Sequence, residues 1–327
     1  MIILNAEEVQ RALPMREVIE AMKKAYASLS NGEAEVPLRT RLPIPRHDGL
    51  SLFMPAYVGG ESEALAVKIV SLFPGNPQRG LAYIQAAVLA FEPETGRATA
   101  LLEGGTLTAI RTGAGSGAAI DVLARKDSKI AAIFGAGAQG RTQLEAACTA
   151  RPIEKAWVYD RDMERARLFA QELAGRGPIP QDLRPASTPQ EAVRDTDIIC
   201  TATTSLTPVF ADADLKPGAH ISAIGSYTPD MVEVPPETIR RSRLFVDSRS
   251  AVLAETGDLI HPIASRQVSE TQITELGEVL LGRKPGRETE NDITYFKSVG
   301  VAVQDAIAAQ LAVMNARKMG VGLEIPF

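Results

Sequence analysis

The stretch KIAAIFGAGAQG, residues 129–140, decides the fold of this chain. Its apolar part, Lys129–Phe134, predicts a buried strand, and the residues from about Ala138 to Thr149 predict a helix. Between them lies a Gly-x-Gly-x-x-Gly pattern. A glycine-rich turn that follows a strand and begins a helix is typical of dinucleotide-binding domains. The stretch therefore predicts a dinucleotide site.

Each glycine of the turn has its own task in this interpretation. Gly135 permits the tight turn, Gly137 lets backbone N–H groups approach a pyrophosphate, and Gly140 lets the helix pack on the strand. Ala138 and Gln139 lie within the turn, where the helix begins. Because a helix N terminus offers unpaired N–H groups and a partial positive charge to phosphates, the pyrophosphate is predicted to bind here.

The end of the next strand bears on the choice of cofactor. Ala156–Asp160 is predicted as a strand, and Asp160 follows Gly140 by about 20 residues, the spacing of the acidic residue that binds the adenine ribose. A carboxylate at this place repels a 2′-phosphate and favours NAD over NADP. Arg161 could instead pair with that phosphate, which keeps NADP as an alternative, or it is a solvated turn residue.

Strands and helices continue to alternate on the C-terminal side of the turn. A helix is predicted at Met163–Leu173, and strands are predicted at Ile198–Thr203, His220–Gly225 and Leu244–Asp247. Apolar strands that alternate with helices form a parallel sheet covered on both faces. Residues 123–299 are therefore predicted to form an α/β domain of Rossmann type, with a doubly wound parallel sheet.

The residues before the turn predict a mixed α+β domain. A helix over about residues 7–31 ends at Asn31-Gly32, and a stretch rich in proline and arginine follows it. Short strands separated by turns come next, and then a long helix of small residues. The tail is predicted as an amphipathic helix that returns to this domain, which therefore comprises residues 1–122 plus 300–327. The strands are Leu50–Met54, Leu65–Val70, Tyr83–Phe91 and Ala98–Glu103, and the helices are Thr106–Leu123 and Gly300–Met319.

Length, charge and composition exclude several classes of protein. The 327 residues favour two domains, and the net charge of −5 comes without a basic block, so nucleic acid is not expected as a partner. No apolar run reaches the length of a membrane span, and the N terminus lacks a signal-peptide pattern. Cysteines and histidines are scattered without metal-ligand spacing, so no metal is expected. Cys148 and Cys200 are interpreted as core residues, and lone thiols fit a cytoplasmic location.

Four basic residues of the first domain are candidates for the chemistry. Lys68 lies in the apolar run Ala66-Val-Lys-Ile-Val70. It is either an edge-strand lysine facing water or a cleft lysine with a depressed pKa, able to donate a proton or bind an oxyanion. Arg39 and Arg41 alternate along an extended segment, so one can face a cleft, where arginine suits a substrate carboxylate. Arg111, in the small-residue helix, is interpreted as the partner of a carboxylate or pyrophosphate.

Several motifs occur in order along the chain: Leu38-Arg-Thr-Arg41, Lys68, Phe91-Glu-Pro-Glu-Thr-Gly96, Leu107-Thr-Ala-Ile-Arg-Thr112, the Gly135 turn and Phe296-Lys-Ser-Val-Gly-Val-Ala-Val-Gln-Asp305. With these motifs the chain resembles the ornithine cyclodeaminase/mu-crystallin family over nearly its whole length. The resemblance implies a homodimer whose first domain, with the C-terminal helix, builds the dimer interface and the substrate pocket. It implies that Lys68 contacts substrate near the reacting carbon, and that Arg111 and an arginine of the 39–41 stretch hold the carboxylate.

One position departs from the deaminating members that the chain resembles. Cyclodeaminases and archaeal-type alanine dehydrogenases share an aspartate shortly after the strand similar to Ile221–Gly225, and here Tyr227 takes that place. A carboxylate can bind ammonium or activate water for imine hydrolysis, which a phenol with a pKa of about 10 does poorly. Ketimine reductases that resemble mu-crystallin also lack the aspartate. Tyr227 is therefore a candidate substrate-binding residue, or simply a packed aromatic residue.

The leading interpretation is an NAD(P)H-dependent oxidoreductase that reduces a small, cyclic imino acid of ketimine or pyrroline-2-carboxylate type to the L-amino acid. The alternatives are an amino acid dehydrogenase of alanine dehydrogenase type, an ornithine cyclodeaminase, and a non-catalytic NAD(P)-dependent ligand-binding protein. Lys68 is the predicted catalytic residue. The predicted substrate-binding residues are Arg39, Arg41, Lys68, Arg111 and Tyr227. The predicted cofactor-binding residues are Arg111, Thr112, Gly135, Gly137, Ala138, Gln139, Gly140, Asp160, Arg161, Thr201, Thr203, Gly225 and Ser298.

Overall fold

The computed structural model describes all 327 residues apart from the side chain of Glu61. The chain divides into two compact units. Unit 1 comprises residues 1–111 and 301–327, and unit 2 comprises residues 112–300. Each unit has its own β-sheet, called sheet A in unit 1 and sheet B in unit 2.

The elements are numbered in chain order. The strands are β1 Ile2–Leu4, β2 Ala34–Glu35, β3 Thr40–Ile44, β4 Gly49–Val58, β5 Ala64–Leu72, β6 Ile84–Phe91, β7 Ala98–Glu103, β8 Ile130–Phe134, β9 Lys155–Tyr159, β10 Asp182–Pro185, β11 Ile198–Thr201, β12 His220–Ala223, β13 Arg243–Val246, β14 Ile273–Glu275, β15 Thr294–Lys297 and β16 Leu323–Glu324. The helices are α1 Ala6–Ala12, α2 Met15–Asn31, α3 Gly104–Leu123, α4 Ala138–Ala150, α5 Met163–Leu173, α6 Pro189–Val193, α7 Pro236–Arg241, α8 Arg249–Glu255, α9 Gly257–Ala264, α10 Leu276–Leu280 and α11 Ala302–Met319.

The boundaries between the units differ from the predicted ones, which follow residues 122 and 299. In the structure the first boundary lies inside α3, between Arg111 and Thr112, and the second follows Gly300. The later part of α3 belongs to unit 2 because it packs closely on α4. A Cβ atom on Gly113 would lie 2.5 Å from the carbonyl oxygen of Thr142. Close packing of α3 on α4 therefore explains why Gly113 is present, although a glycine inside a helix lowers the stability of that helix.

The first predicted helix, over residues 7–31, is wrong as a single element. The structure has α1 and α2 instead, and α2 begins directly after Pro14. Proline has no backbone N–H, so a continuous helix would lose a hydrogen bond and clash at this residue. The predicted stop is confirmed, because Gly32 ends α2 in a left-handed conformation with φ of 76°.

Sheet A carries Lys68 on its helix-covered face. Its strands run in the order β16-β1-β7-β6-β5-β4-β2, with β3 also paired to β4, and among the described pairings of sheet A only β1–β7 is parallel. Along β5, Ala64, Ala66 and Lys68 are buried while the intervening side chains are less buried. Since alternate side chains of a strand point to opposite faces, Lys68 shares the face on which α11 packs against β4 and β5.

The tail helix belongs to unit 1, and its predicted amphipathic pattern is wrong for the first two turns. Every residue of Ala302–Ala309 is buried, and exposed residues recur only from Gln310 onward. The helix lies between α2 on one side and strands β4 and β5 on the other, so it has no solvent-facing stripe there. A helix enclosed on all sides needs apolar residues around its whole circumference.

Sheet B has the strand order of a dinucleotide-binding domain. Its order is β10-β9-β8-β11-β12-β15-β13-β14, and each of these pairings is parallel. Apolar cores lie on both faces: Ala131 and Ile133 join one, and Ala132 and Phe134 join the other. The doubly wound Rossmann-type prediction is confirmed. The strand order reverses between β8 and β11, and ligands of such sheets bind at that reversal, outside the carboxyl ends of the strands.

Candidate functional site

A cavity of about 360 Å³ lies in unit 2 where the strand order reverses. Its walls include residues of the glycine-rich turn after β8, the end of β9 and the loop after β11. Among the predicted cofactor-binding residues, the described lining contains Gly135, Gly137, Asp160, Arg161 and Thr203. The structure thus brings these five residues to one cavity.

The turn has the geometry that a pyrophosphate site requires. Gly135 has a φ of 102°, and a Cβ atom there would lie 2.6 Å from the carbonyl oxygen of Ala202. A Cβ on Gly140 would lie 2.0 Å from the carbonyl oxygen of Gly135, so the helix packs closely on the turn. Gly137 differs, since no described atom beyond its chain neighbours lies within 4 Å of such a Cβ. The open space at Gly137, next to the first residues of α4, Ala138 and Gln139, fits a dinucleotide phosphate.

Asp160 ties the glycine-rich turn to the end of β9. One carboxylate oxygen accepts a hydrogen bond from the backbone N–H of Ala136 at 2.9 Å, and the other accepts one from Asp162 N–H at 3.0 Å. Each oxygen keeps a further lone pair that could accept a ribose hydroxyl. Arg165 is a cavity residue that the sequence reasoning missed, and it lines the same wall as Arg161.

Three predicted cofactor-binding residues lie elsewhere in unit 2. Thr201 is buried, and its hydroxyl donates to Glu233 at 2.9 Å. The N–H of Gly225 also donates to Glu233, at 2.7 Å. Ser298 is buried, and its hydroxyl donates to Asp247 at 2.7 Å. These side chains and this N–H are therefore engaged inside the protein, and the described lining of the cavity does not include these residues.

Unit 1 contains a buried cluster of charged residues, named here the lysine cluster, formed by Lys68, Arg111 and Asp305. The Lys68 Nζ lies 2.7 Å from Asp305 Oδ2, and the Arg111 Nε donates to Asp305 Oδ1 at 2.9 Å. All three side chains are 5% exposed or less. Lys68 is therefore not an edge-strand lysine facing water. One carboxylate holds two cations by separate oxygens, which fixes the direction of both.

The cluster shifts the pKa of its members. Burial, and after it the charge of Arg111, lowers the pKa of Lys68 to about 8, against the opposing attraction of Asp305. Burial alone would raise the pKa of Asp305, but Arg111 and Lys68 hold it below its usual value. A carboxylate that stays ionised next to an ammonium with a pKa near neutrality suits proton transfer.

Hydrogen bonds extend the lysine cluster into the helices of unit 1. Arg111 Nη1 donates to the side-chain oxygen of Gln304 at 3.2 Å, and Gln304 Nε2 donates to the Tyr26 hydroxyl oxygen at 2.9 Å. Asp305 and Gln304 are neighbours at the buried start of α11. Arg111 is thus held by unit 1 residues, while its neighbour Thr112 belongs to unit 2.

Asp305 was not predicted as a site residue, although it ends the motif Phe296-Lys-Ser-Val-Gly-Val-Ala-Val-Gln-Asp305. A signal was present, since Asp305 is the one acidic residue in the run Ala302-Val-Gln-Asp-Ala-Ile-Ala-Ala309. A lone carboxylate in an apolar helix and a lone lysine in an apolar strand each need a partner when buried. Pairing these two anomalies would have predicted the contact.

The two arginines of the 39–41 stretch differ. Arg39 is half-buried just before β3, and its positive charge contributes to lowering the pKa of Lys68. Arg41 is exposed on β3. Arg39 is therefore the arginine whose charge acts on the lysine cluster.

Tyr227 lies in the segment after β12 and is 39% exposed. It is not a packed core residue, in contrast to the fully buried Tyr295 and Tyr26. No contact that the structure describes tests the predicted role of Tyr227 in substrate binding, which stays a prediction.

The described residues contain no cluster of histidine, cysteine, aspartate and glutamate side chains that could hold a metal ion. The two cysteines, Cys148 and Cys200, are buried free thiols, as their interpretation as core residues requires. None of the helices that the structure describes is both long and apolar enough to cross a membrane.

A Rossmann-type unit with a glycine-rich turn, and a second unit with a buried lysine cluster, define a dinucleotide-dependent oxidoreductase as the class of protein. The model of the ornithine cyclodeaminase/mu-crystallin family matches residues 1–319. This chain belongs to that family, which confirms the resemblance stated above.

Three known proteins show which members this chain is similar to. The Delta(1)-pyrroline-2-carboxylate reductase of Bacillus cereus is 40% identical over 329 residues, with full coverage of both chains. The solved structure of the Thermococcus litoralis Delta(1)-pyrroline-2-carboxylate reductase, in complex with NADH and L-proline, is 45% identical, has a TM-score of 0.93, and is matched over 99% of this chain and 100% of its own. An archaeal alanine dehydrogenase dimer with bound NAD is 30% identical with a TM-score of 0.91, over 100% and 99% of the two chains.

Proposed function

We propose that this chain is an NAD(P)H-dependent reductase that converts a small cyclic imino acid, of the Delta(1)-pyrroline-2-carboxylate type, to the L-amino acid. The single observation that carries the proposal is the lysine cluster, Lys68, Asp305 and Arg111, in a chain that also has a dinucleotide cavity. Relatives that cover the whole chain and carry the name of this reductase support the same substrate class.

Unit 1 provides the groups that such a reduction needs besides the hydride, which NAD(P)H supplies when bound. The guanidinium groups of Arg111 and Arg39 attract the carboxylate of the imino acid, because guanidinium groups bind carboxylates through paired N–H donors. Lys68 holds a proton on Nζ and gives it to the ring nitrogen, so that the C=N bond gains one hydride at carbon and one proton at nitrogen.

Asp305 sets the state of Lys68 in this scheme. Its negative charge keeps Nζ protonated at neutral pH in spite of burial. Its second oxygen directs Arg111, so one carboxylate orients both the proton donor and the carboxylate-binding group. Asp305 is therefore a positioning residue in the proposed reaction.

A spectrophotometric screen tests the function. Purified protein is mixed with NADH or NADPH and, separately, with pyrroline-2-carboxylate, piperideine-2-carboxylate, or 2-oxo acids with ammonia. We expect steady oxidation of the reduced cofactor with a cyclic imine and not with 2-oxo acids and ammonia. Conversion of ornithine to proline without net oxidation of cofactor would instead identify a cyclodeaminase. The chain argues against this outcome, because it has Tyr227 where the cyclodeaminases that it resembles have an aspartate. No turnover with any substrate, in a protein that binds the dinucleotide, would identify a binding protein.

The cofactor preference is expected to favour NADH. Asp160 leaves each carboxylate oxygen able to accept a ribose hydroxyl and repels a 2′-phosphate. Wild-type kcat/KM should therefore be higher with NADH than with NADPH, and Asp160→Ser should narrow the difference. The measurement is kcat/KM with each cofactor at saturating imine. A wild-type preference for NADPH of about tenfold, or about 1.4 kcal/mol, would assign the choice to Arg161 instead.

We also propose that the chain forms a homodimer through the outer face of sheet A. The side chains on this face alternate with Lys68 along β5 and match apolar partners on the flanking strands. Val67 lies opposite Pro55 and Leu89, and Ile69, 38% exposed, lies opposite Phe53. A continuous apolar sheet face of this kind marks a protein–protein interface. The family relative described as a dimer supports a second copy as the occupant.

Ile69→Glu is expected to convert the dimer to a monomer, because it puts an unpaired charge on an apolar interface. The mass is measured by light scattering after size-exclusion chromatography. Leu168→Glu is the matched control, since Leu168 is also an exposed apolar residue but lies on α5 of unit 2. A wild-type monomer, or an Ile69→Glu protein that stays dimeric, would contradict the proposed interface.

A further inference from the structure

Glu233 is a buried carboxylate at the carboxyl ends of β11 and β12. One oxygen, Oε2, accepts from the Thr201 hydroxyl at 2.9 Å and from the N–H groups of Gly225 and Ser226 at 2.7 and 3.1 Å. The other oxygen, Oε1, accepts from the N–H and the hydroxyl of Thr203 at 2.6 and 2.8 Å. Each oxygen accepts from at least one backbone N–H, so both oxygens must act as acceptors, which a carboxylate does and a carboxamide cannot.

The segments that Glu233 holds are in contact through their backbones. A Cβ atom on Gly225 would lie 2.2 Å from the carbonyl oxygen of Thr203, so only glycine fits at the end of β12. The equivalent atom on Gly135 would lie 2.6 Å from the carbonyl oxygen of Ala202. The ends of the neighbouring strands β8, β11 and β12 are therefore packed backbone against backbone, and the carboxylate of Glu233 joins two of them.

The middle segment of this assembly is a wall of the dinucleotide cavity. Residues 202–205 line the cavity together with Gly135 and Gly137. Glu233 itself is fully buried and is not among the described lining residues. Its own backbone N–H is held by Asp258 at 2.7 Å, and Asp258 forms a buried ion pair with Lys297 at 3.1 Å. The carboxylate is thus anchored on one side and holds the cavity wall on the other.

We propose that Glu233 is a positioning residue for the dinucleotide site, which fixes residues 202–205 against the glycine-rich turn and so sets the shape of the cavity. The inference rests on the dinucleotide site of the proposed function. By this inference Thr201 and Gly225, which donate to Glu233, affect cofactor binding by holding the cavity wall in place and not by contact with the cofactor.

The test compares Glu233→Gln with Asp197→Asn, which removes a carboxylate at the opposite, amino ends of the strands of sheet B. Asp197 is also buried, accepts hydrogen bonds from the N–H groups of Lys129 and Ile130, and pairs with Lys216 at the amino ends of the strands. Asp197→Asn is therefore a matched loss of a buried carboxylate far along the strands from the cavity. Binding of NADH is measured by calorimetry on the full chain, and hydrogen exchange is measured on the free protein.

Glu233→Gln is expected to raise the Kd for NADH by about tenfold or more, the scale of one hydrogen bond to a charged group. It should also speed amide exchange at residues 202–205 and 225–226. Asp197→Asn should lower Tm to a similar extent and leave the Kd for NADH unchanged. Glu233→Asp keeps two acceptor oxygens on a shorter side chain and should give an intermediate Kd for NADH. This variant replaces Glu233→Gln in the test if the glutamine variant does not fold.

Two results would overturn the positioning role. One is unchanged exchange at residues 202–205 in the Glu233 variants, which needs no cofactor to observe. The other is an equal loss of NADH affinity in Asp197→Asn, which would mean that general destabilisation is the cause. Failure of the wild-type chain to bind NADH or NADPH would be a different outcome, since it would overturn the proposed function and leave the exchange result to decide the role of Glu233.

Discussion

Replacing Lys68 with alanine is expected to lower kcat for imine reduction by roughly 10²-fold or more, the scale of positioned proton transfer. Lys68 is buried, its Nζ lies 2.7 Å from the Asp305 carboxylate, and its pKa is about 8. The proposed donor is therefore protonated at neutral pH, with a pKa low enough to release its proton readily. The variant lacks the ammonium group that would give the proton. The measurement is steady-state oxidation of NADH with a saturating cyclic imine.

Two comparisons separate a role in the reaction from a general effect of the substitution. The Kd for NADH should change little in Lys68→Ala, because Lys68 belongs to unit 1 and the dinucleotide cavity belongs to unit 2. Lys24→Ala, at an exposed position on α2 in the same unit, should keep the wild-type kcat. A Lys68→Ala enzyme with near-normal kcat would remove Lys68 from the proposed reaction.

Asp305→Asn is expected to lower the free energy of unfolding by about 3–5 kcal/mol, the cost of breaking a buried ion pair on one side. The substitution leaves Lys68 and Arg111 as buried cations that face each other without a carboxylate. Urea denaturation of wild type and variant gives the difference. The double variant Lys68→Met/Asp305→Asn removes one of the stranded charges and should recover part of the loss. A loss below about 1 kcal/mol, the range of exposed ion pairs, would mean that water reaches the cluster.

The same substitution should move the alkaline limb of the pH profile. In the wild type we expect kcat/KM for reduction to fall as the pH rises through about 8, because the proposed donor, Lys68, then loses its proton. Asp305 raises the pKa of Lys68, so its removal lowers that pKa further and the limb shifts to lower pH. The profile is recorded with both proteins under the same conditions. A limb that stays in place would mean that another group controls it.

The parts of the fold that could be predicted are those with local patterns. The turn at Gly135, the strand before it and the helix after it follow from side-chain size and periodicity within about a dozen residues. Helix α5 has the predicted bounds, Met163–Leu173, because its apolar face and its cap at Asp162 are both local. Strand β15 was not predicted as an element, although it is central in sheet B, because its four residues become a strand only by pairing with β12 and β13.

Individual residues of the candidate site could be predicted from the sequence, but the contacts between them could not. The sequence identifies Lys68, Arg111 and Asp160 as unusual for their surroundings, and the structure places Lys68 and Arg111 in one cluster. Asp305 was not predicted because its partners, Lys68 and Arg111, are far away in the chain. Glu233 was not predicted because the ends of β11 and β12 that it joins come together only in the folded sheet. No periodicity links Arg111 to a residue 194 positions later.

The path of the chain through unit 1 has a consequence for how the protein is made. Helix α11 is translated after the whole of unit 2, so Lys68 and Arg111 leave the ribosome long before Asp305 does. Until then strands β4 and β5 lack the helix that covers them, and burying the two cations without a counter-charge is unfavourable. Unit 2 needs no residue beyond Gly300 and can therefore fold before α11 is available, whereas the lysine-bearing unit needs the last part of the chain. We therefore expect a chain truncated after Gly300 to bind the dinucleotide while its unit 1 stays unfolded.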